Sequence, residues 1–376
     1  MRKQTFFLLS LGFLSFTSCI QEEAPNAECD IVTCRVINLE NYSIFYSRHD
    51  AVKEVASTDS VVTFPVRNGA DVSAIALELD ITPGATVTPA SGSVQDFSQD
   101  GVLYKVVSED RHWSRTYRVR FVPMMVLPTE YKFEYYELDP NSQKYYNWYG
   151  MNEEETRIDF WATGNSGFRL SRSSALPDEY PTVPVEDGVS GSAVKLETRS
   201  TGAFGNMVNM RIAAGNLFIG TFDTQNALKD AMKATCFGLP FSQKPLRFSG
   251  DYKFVPGKDF QDRSGTVISG RVDQPDLYAV FYRNTDDEGN DVMLHGDDVL
   301  TNPNIVALAR LESPLTTTEW QHFDIEFDYR GTVDAGRLRN FGYNLAVVFT
   351  SSIEGASFCG AVGSTLWVDE VKVTCE

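Results

Sequence analysis

Residues 323–330 read Phe323-Asp324-Ile325-Glu326-Phe327-Asp328-Tyr329-Arg330, an unbroken alternation of apolar and charged side chains. Successive side chains of a strand point to opposite faces, so a period of two marks a β-strand with one dry and one wet face. A little further on, Tyr343 to Thr350 is an almost continuous apolar run. It reads as a strand buried on both sides, which a sheet packed on a second sheet provides. The two segments together predict a β-sandwich. Near the end, Leu366 and Val368 keep one parity while Val371 and Val373 keep the other, which predicts a β-bulge around Asp369 and Glu370.

Towards the N-terminus the same period recurs. Ile75, Leu77, Leu79 and Ile81 alternate with Ala76, Glu78 and Asp80, and Tyr117, Val119 and Phe121 alternate with Arg118 and Arg120. Turn chemistry at Thr82-Pro83-Gly84 and Ala90-Ser91-Gly92 separates these strands, so residues 27–122 read as an antiparallel sandwich of immunoglobulin-like type. The segment Val122-Pro123-Met124-Met125-Val126-Leu127-Pro128, with its bracketing prolines, marks the junction with a second domain at 130–376. The one convincing helix begins at Asp223 or Thr224, carries Ala227, Leu228, Ala231 and Met232 on one stripe, and stops at Gly238. It is too short and solitary for an α/β fold, so the class is all-β.

Arg2 and Lys3 precede an apolar run from Phe6 to Phe16 that is long enough for a signal segment and too short to span a bilayer. It ends in Phe16-Thr17-Ser18-Cys19, small residues ahead of a cysteine, as lipoprotein processing requires. Residues 1–18 are therefore expected to be a signal peptide, Cys19 the lipidated N-terminus and 19–26 a tether. A lipidated Cys19 places the protein in the outer membrane. Gln21, Glu22 and Glu23 resemble the export tag of surface lipoproteins, which implies exposure at the cell surface and other surface lipoproteins as partners. Without residues 1–18, 31 basic side chains face 51 acidic ones, a charge of −20. That excess argues against nucleic acid and anionic lipid as partners and favours a neutral ligand.

Several catalytic signatures are missing, namely HExxH, GxSxG, a phosphate loop, GxGxxG and CxxC. A glycosidase needs only two facing carboxylates, and Glu197, Asp324, Glu326 and Asp369 are open candidates. Asp369 at the bulge is also a candidate carboxylate for a structural calcium, an ion that prefers hard oxygen ligands. The acidic loop Asp286–Asp291 lacks the spacing of a calcium loop and reads as a solvated turn. Five cysteines follow Cys19; Cys29 with Cys34, and Cys359 with Cys375, are spaced for disulfides, although spacing alone assigns neither. The histidines His49, His112, His295 and His322 are too scattered for a zinc site.

The richest aromatic passage is Tyr145-Tyr146-Asn147-Trp148-Tyr149, followed by Trp161 in Asp159-Phe160-Trp161-Ala162-Thr163-Gly164-Asn165. Sugars stack their CH faces on rings and bond amides and carboxylates through hydroxyls. Tyr146, Trp148, Tyr149, Trp161, Asn165 and Arg169 are therefore the expected carbohydrate-binding residues. Trp320 and Trp367 fall inside regular strand patterns and are expected to pack in the core or at a sheet edge.

The segments Trp161-Ala162-Thr163-Gly164-Asn165, Ala214-Gly215-Asn216-Leu217-Phe218-Ile219-Gly220, Tyr252-Lys253-Phe254-Val255-Pro256-Gly257 and Gly360-Ala361-Val362-Gly363-Ser364-Thr365-Leu366 resemble the putative carbohydrate metabolism domain family. The resemblance covers residues 130–376 and departs at Cys359, where the family carries glutamate. It implies a jelly roll like those of carbohydrate-binding modules, in a surface lipoprotein. Three functions compete on this reading: non-catalytic binding of polysaccharide or oligosaccharide, glycoside hydrolysis by a carboxylate pair, and a structural or adhesion subunit.

Overall fold

The computed structural model describes residues 24–38, 44, 45, 48–66, 70–123, 126–151, 155, 157–224, 227, 229–288, 290–339 and 341–376. The signal segment, Cys19, the acidic residues after it and Leu228 lie outside them. Among the described residues no helix is long and apolar enough to cross a membrane.

Residues 31–123 form two four-stranded sheets. One runs Val52–Glu54, Ile31–Val36, Ile75–Ile81, Val94–Gln95, and the other Val61–Val66, Ser114–Pro123, Val102–Val107, Thr86–Thr88. The alternation read from sequence sets the core between them: Ile75, Leu77, Leu79, Tyr117, Val119 and Phe121 are all buried in one cluster. The sandwich is not wholly antiparallel, because Val61–Val66 pairs in parallel with Ser114–Pro123. Parallel pairing needs a long crossover, and the chain supplies one by visiting the opposite sheet at Ile75–Ile81 in between.

The larger sandwich packs an eight-stranded sheet on a six-stranded one. The former has the path Trp161–Ala162, Asn216–Phe222, Tyr343–Thr350, Asp276–Arg283, Ile305–Arg310, Asp328–Tyr329. The latter runs Thr182–Val185, Ala193–Glu197, Thr365–Cys375, Pro245–Val255, Thr317–Glu326. Phe323 and Phe327 are buried in the core between the sheets while Asp324, Glu326 and Asp328 are exposed. The alternating segment is nevertheless two strands, since it leaves one sheet after Glu326 and joins the other at Asp328. In Tyr343–Thr350, Leu345, Val347 and Phe349 face the sandwich core, whereas Ala346 and Val348 join a second apolar cluster on the outer face of the eight-stranded sheet. Burial on both sides is thus real, but loops carrying Leu294 and Val299 cover the outer side.

The bulge is where parity placed it. Ser249 pairs with Lys372 and Asp251 with Asp369, so the step across Glu370 has one residue too many, and Glu370 takes φ +47°. The helix is shorter than its stripe predicts: among the described residues of that stretch, Ala231–Ala234 is helical. Thr235–Phe237 instead pairs with Gly220–Phe222 as a short strand. Helices at Asn165–Ser171, Gly202–Met207 and Ala335–Arg339 had no clear stripe.

Neither of the two pairs that spacing left open is bonded; Cys29, Cys34, Cys359 and Cys375 are free thiols. Cys34 points into the core of the first sandwich from the Ile31–Val36 strand, which keeps the chain from looping back to Cys29. Cys375 ends an 11-residue strand that starts just after Cys359; at about 3.3 Å per residue the strand's ends stand some 30 Å apart.

Candidate functional site

The aromatic passage folds as a hairpin, with Tyr136 opposite Trp148 and Leu138 opposite Tyr146. Its inner face closes one end of the sandwich core, so Trp148 is only 2% exposed and belongs to the core cluster. Trp161 is half-buried there, 5.2 Å from the Tyr131 ring and 5.6 Å from Phe133. Asn165 is fully buried; its amide donates to the Thr182 carbonyl at 2.8 Å and accepts from the Thr182 N–H at 3.1 Å. Tyr146 packs edge-on against Tyr136, Tyr149 lies under the Arg157 guanidinium, and Arg169 is exposed on its helix. The expectation that these six residues form one ligand platform is corrected on this ground: Trp148 and Asn165 present nothing to solvent, and Trp161 is wedged between core rings. Aromatics that break strand alternation here close the end of a sandwich.

The motifs quoted above meet in a single polar network. Asn216 Oδ1 accepts the Gly164 N–H at 2.7 Å, which ties the second motif to the first. Gly215 N–H donates to Ser351 Oγ at 3.0 Å, and Thr198 Oγ1 bonds both Ser351 and Ser352 at 2.8 and 2.6 Å. Ser352, Ser364 and the Ala361 N–H all donate to buried Asp273, at 2.6, 2.7 and 2.7 Å. Gly257 N–H closes the set on Ser364 Oγ at 2.9 Å. A Cβ on Gly215 would lie 2.4 Å from the Glu197 nitrogen, and one on Gly360 2.6 Å from Ser352 Oγ, so both glycines are close-approach positions. The shared residues stitch backbone together beneath a cleft.

That cleft, of about 250 Å³, lies on the outer face of the eight-stranded sheet. Phe218, Tyr278 and Val348 line it from the sheet, and Phe168, Leu170, Phe204, Met232 and Phe358 line it from short helices and a loop. Leu170, Phe204 and Ile353 leave an apolar rim, each between 38% and 43% exposed. Besides Asp276 and the hydroxyl of Tyr278, the polar side chains are short hydroxyls and one amide: Ser171, Thr201, Asn216, Thr235, Thr350 and Ser352. Several of these hydroxyls donate inward, Thr201 to the Met210 carbonyl and Ser171 to that of Phe168, which leaves acceptor lone pairs for a ligand.

Among the described residues lining the cleft there is one carboxylate, Asp276. Arg310 grips it with two bonds of 2.8 Å. Burial pushes the Asp276 carboxyl above its ordinary range, and the guanidinium works against that rise. The other acids considered from sequence lie on the six-stranded sheet: Glu197 pairs with Arg199 at 3.0 Å, and Arg247 bonds both Asp324 and Glu326. Two facing carboxylates are not gathered in the cleft.

Asp369, the carboxylate considered for calcium, lies at the bulge. It is fully buried, but one oxygen accepts the Val189 and Ser190 N–H groups at 2.7 and 3.2 Å, and the other accepts that of Glu370 at 2.8 Å. Donors rather than oxygens surround it, the opposite of a calcium shell, and among the described residues no group of three or more His, Cys, Asp or Glu is arranged to hold a metal ion. Burial raises its carboxyl pKa against those bonds. Of the cleft residues, Asn216 was legible as part of a motif, whereas Phe204, Asp276 and Tyr278 carry no distinguishing local pattern.

Two sandwiches, one bearing an aromatic cleft over its larger sheet, define a two-domain protein of the β-sandwich class. Residues 132–374 match the family described as putative carbohydrate metabolism domain, and residues 43–120 match the N-terminal domain of surface glycan-binding proteins. The chain belongs to the putative carbohydrate metabolism domain family. It is similar to a putative glycoside hydrolase from Bacteroides thetaiotaomicron, at 38% identity over 95% of this chain and 99% of that one, with a TM-score of 0.64. It is also similar to one from Bacteroides vulgatus, at 36% identity over 67% of this chain and 100% of that one, with a TM-score of 0.63. No curated protein is significantly similar.

Proposed function

We propose that the protein is a non-catalytic glycan-binding lipoprotein, anchored in the outer membrane through Cys19, that holds neutral saccharide in the cleft over the eight-stranded sheet. The observation that carries this reading is the lining itself: aromatic rings, hydroxyls and one amide, with a single carboxylate already taken by Arg310. Rings serve the CH faces of a sugar and short polar groups its hydroxyls, while a hydrolase needs a second carboxylate across the site. The −20 charge keeps anionic ligands away without hindering neutral ones.

Calorimetric titration against a panel of neutral oligosaccharides tests this. Phe204→Ala removes a rim ring and is expected to cost about 0.5–1.5 kcal/mol, a few-fold to tenfold loss of affinity, with melting nearly unchanged because Phe204 is 38% exposed. Reducing-sugar release from the same panel by the wild type, abolished in Asp276→Asn, would instead make the protein a hydrolase. For the anchor, Cys19→Ala is expected to move the protein from the detergent fraction to the soluble one; unaltered membrane attachment refutes it.

A further inference from the structure

The outer face of the six-stranded sheet carries a row that the cleft does not use. Alternation sends Leu196, Leu366 and Phe254 into the core, which forces their neighbours Lys195, Trp367 and Lys253 outwards. These three lie side by side across adjacent strands, Lys195 opposite Trp367 and Trp367 opposite Lys253. The register irregularity between Tyr252 and Phe254 brings Trp320 into the same row from the edge strand. The Lys253 ammonium sits 4.4 Å from the Trp320 ring centre and 5.6 Å from that of Trp367. Trp320 thus packs at the sheet edge, one of the two places expected of it, whereas Trp367 lies on a central strand and outside the core: each is half-buried on the solvent side of a sheet whose core is complete without it.

We propose that this row is a second carbohydrate-binding surface, taking a neutral oligosaccharide laid across the strands, so that the domain holds glycan on both of its outer faces. The proposal rests on the glycan-binding reading above. Its length, three interstrand steps of about 4.8 Å each, accommodates a short run of sugar rings. Its charges are paired locally, which selects against an ionic ligand: Glu197 is 3.4 Å from Lys195 and 3.0 Å from Arg199, and Asp187 is 3.9 Å from Lys253. What these groups offer is directional bonding to hydroxyls beside two indole rings. A loop borders the row at residues 187–192, held down by Asp369 through Val189 and Ser190 and by Glu134 through Ser192. Asp369 is thus a positioning residue for that border. Two sites of one specificity on one domain raise avidity for a polymer over that of either alone.

The two surfaces are separable by spectroscopy, because no tryptophan lines the cleft. The full chain is titrated with soluble gluco-, galacto-, xylo- and manno-oligosaccharides, followed by both calorimetry and tryptophan emission. An emission change is expected in the wild type and in Phe204→Ala, absent from the Trp320→Ala/Trp367→Ala double variant, with a few-fold to tenfold affinity loss in each single tryptophan variant and unchanged melting. Heat from a Phe204-dependent event with constant emission, and full affinity in both tryptophan variants, would overturn the second surface and leave the cleft standing. Lower melting of the tryptophan variants with unaltered affinity likewise reduces the row to packing. Silence of both readouts across the panel sinks the glycan reading, and this proposal with it.

Discussion

Trp148→Ala is expected to unfold the larger domain at a markedly lower temperature while leaving saccharide affinity intact. The ring is 2% exposed and packs among Tyr136 and the core cluster, so truncation leaves a cavity that the two sheets cannot close. Removing a buried tryptophan costs about 3–5 kcal/mol. For a domain of this size each kcal/mol moves the melting midpoint by about 2–4 °C, which makes a fall of roughly 10 °C the expected reading of a thermal scan. The indole N–H has no partner in the structure, so the loss comes from packing and not from a broken hydrogen bond; Trp148→Phe should recover most of it. Affinity lost at unchanged melting would return Trp148 to the ligand site.

Arg310→Met carries the other large effect, and it depends on pH. Asp276 has a side chain only 6% exposed, bound at both oxygens by Arg310. Removing the guanidinium strands a buried carboxylate, at a cost of about 3–5 kcal/mol near neutrality. The Asp276 carboxyl is already raised by burial, and without its partner it rises further. A carboxyl whose folded pKa exceeds its unfolded one binds more protons in the native state, so stability falls as pH climbs between the two values and is recovered on acidification. Urea titrations of Arg310→Met should therefore show the deficit shrinking as pH falls through the raised pKa. Asp276→Asn on the same background should remove that pH dependence. A deficit independent of pH would mean that Arg310 acts through packing alone.

The row of Trp320, Lys253 and Trp367 shows how far local pattern reaches. Parity alone would have sent Trp367 outward opposite Leu366 and Val368, but Trp320 reaches the row through a register shift that no single strand reveals. The passage around Trp148 shows the reverse error. Its rings break alternation because they belong to a short hairpin capping the sandwich, and a cap and a platform share one composition.

What the sequence by itself determined is what a single strand's period can encode: the all-β class, the buried Tyr343–Thr350 strand, the dry face through Phe323 and Phe327, and the bulge at Glu370. Each follows from which side of a pleat a residue must occupy, a property of neighbours along the chain. Tertiary structure alone decided which residues meet. The cleft assembles Phe168, Phe204, Phe218, Met232, Tyr278 and Phe358 from separate strands, short helices and loops. Asp273 gathers Ser352, Ala361 and Ser364, and the free cysteines are parted by strand length. Those outcomes depend on register between distant strands and on where loops land, and hydrophobic period says nothing about either.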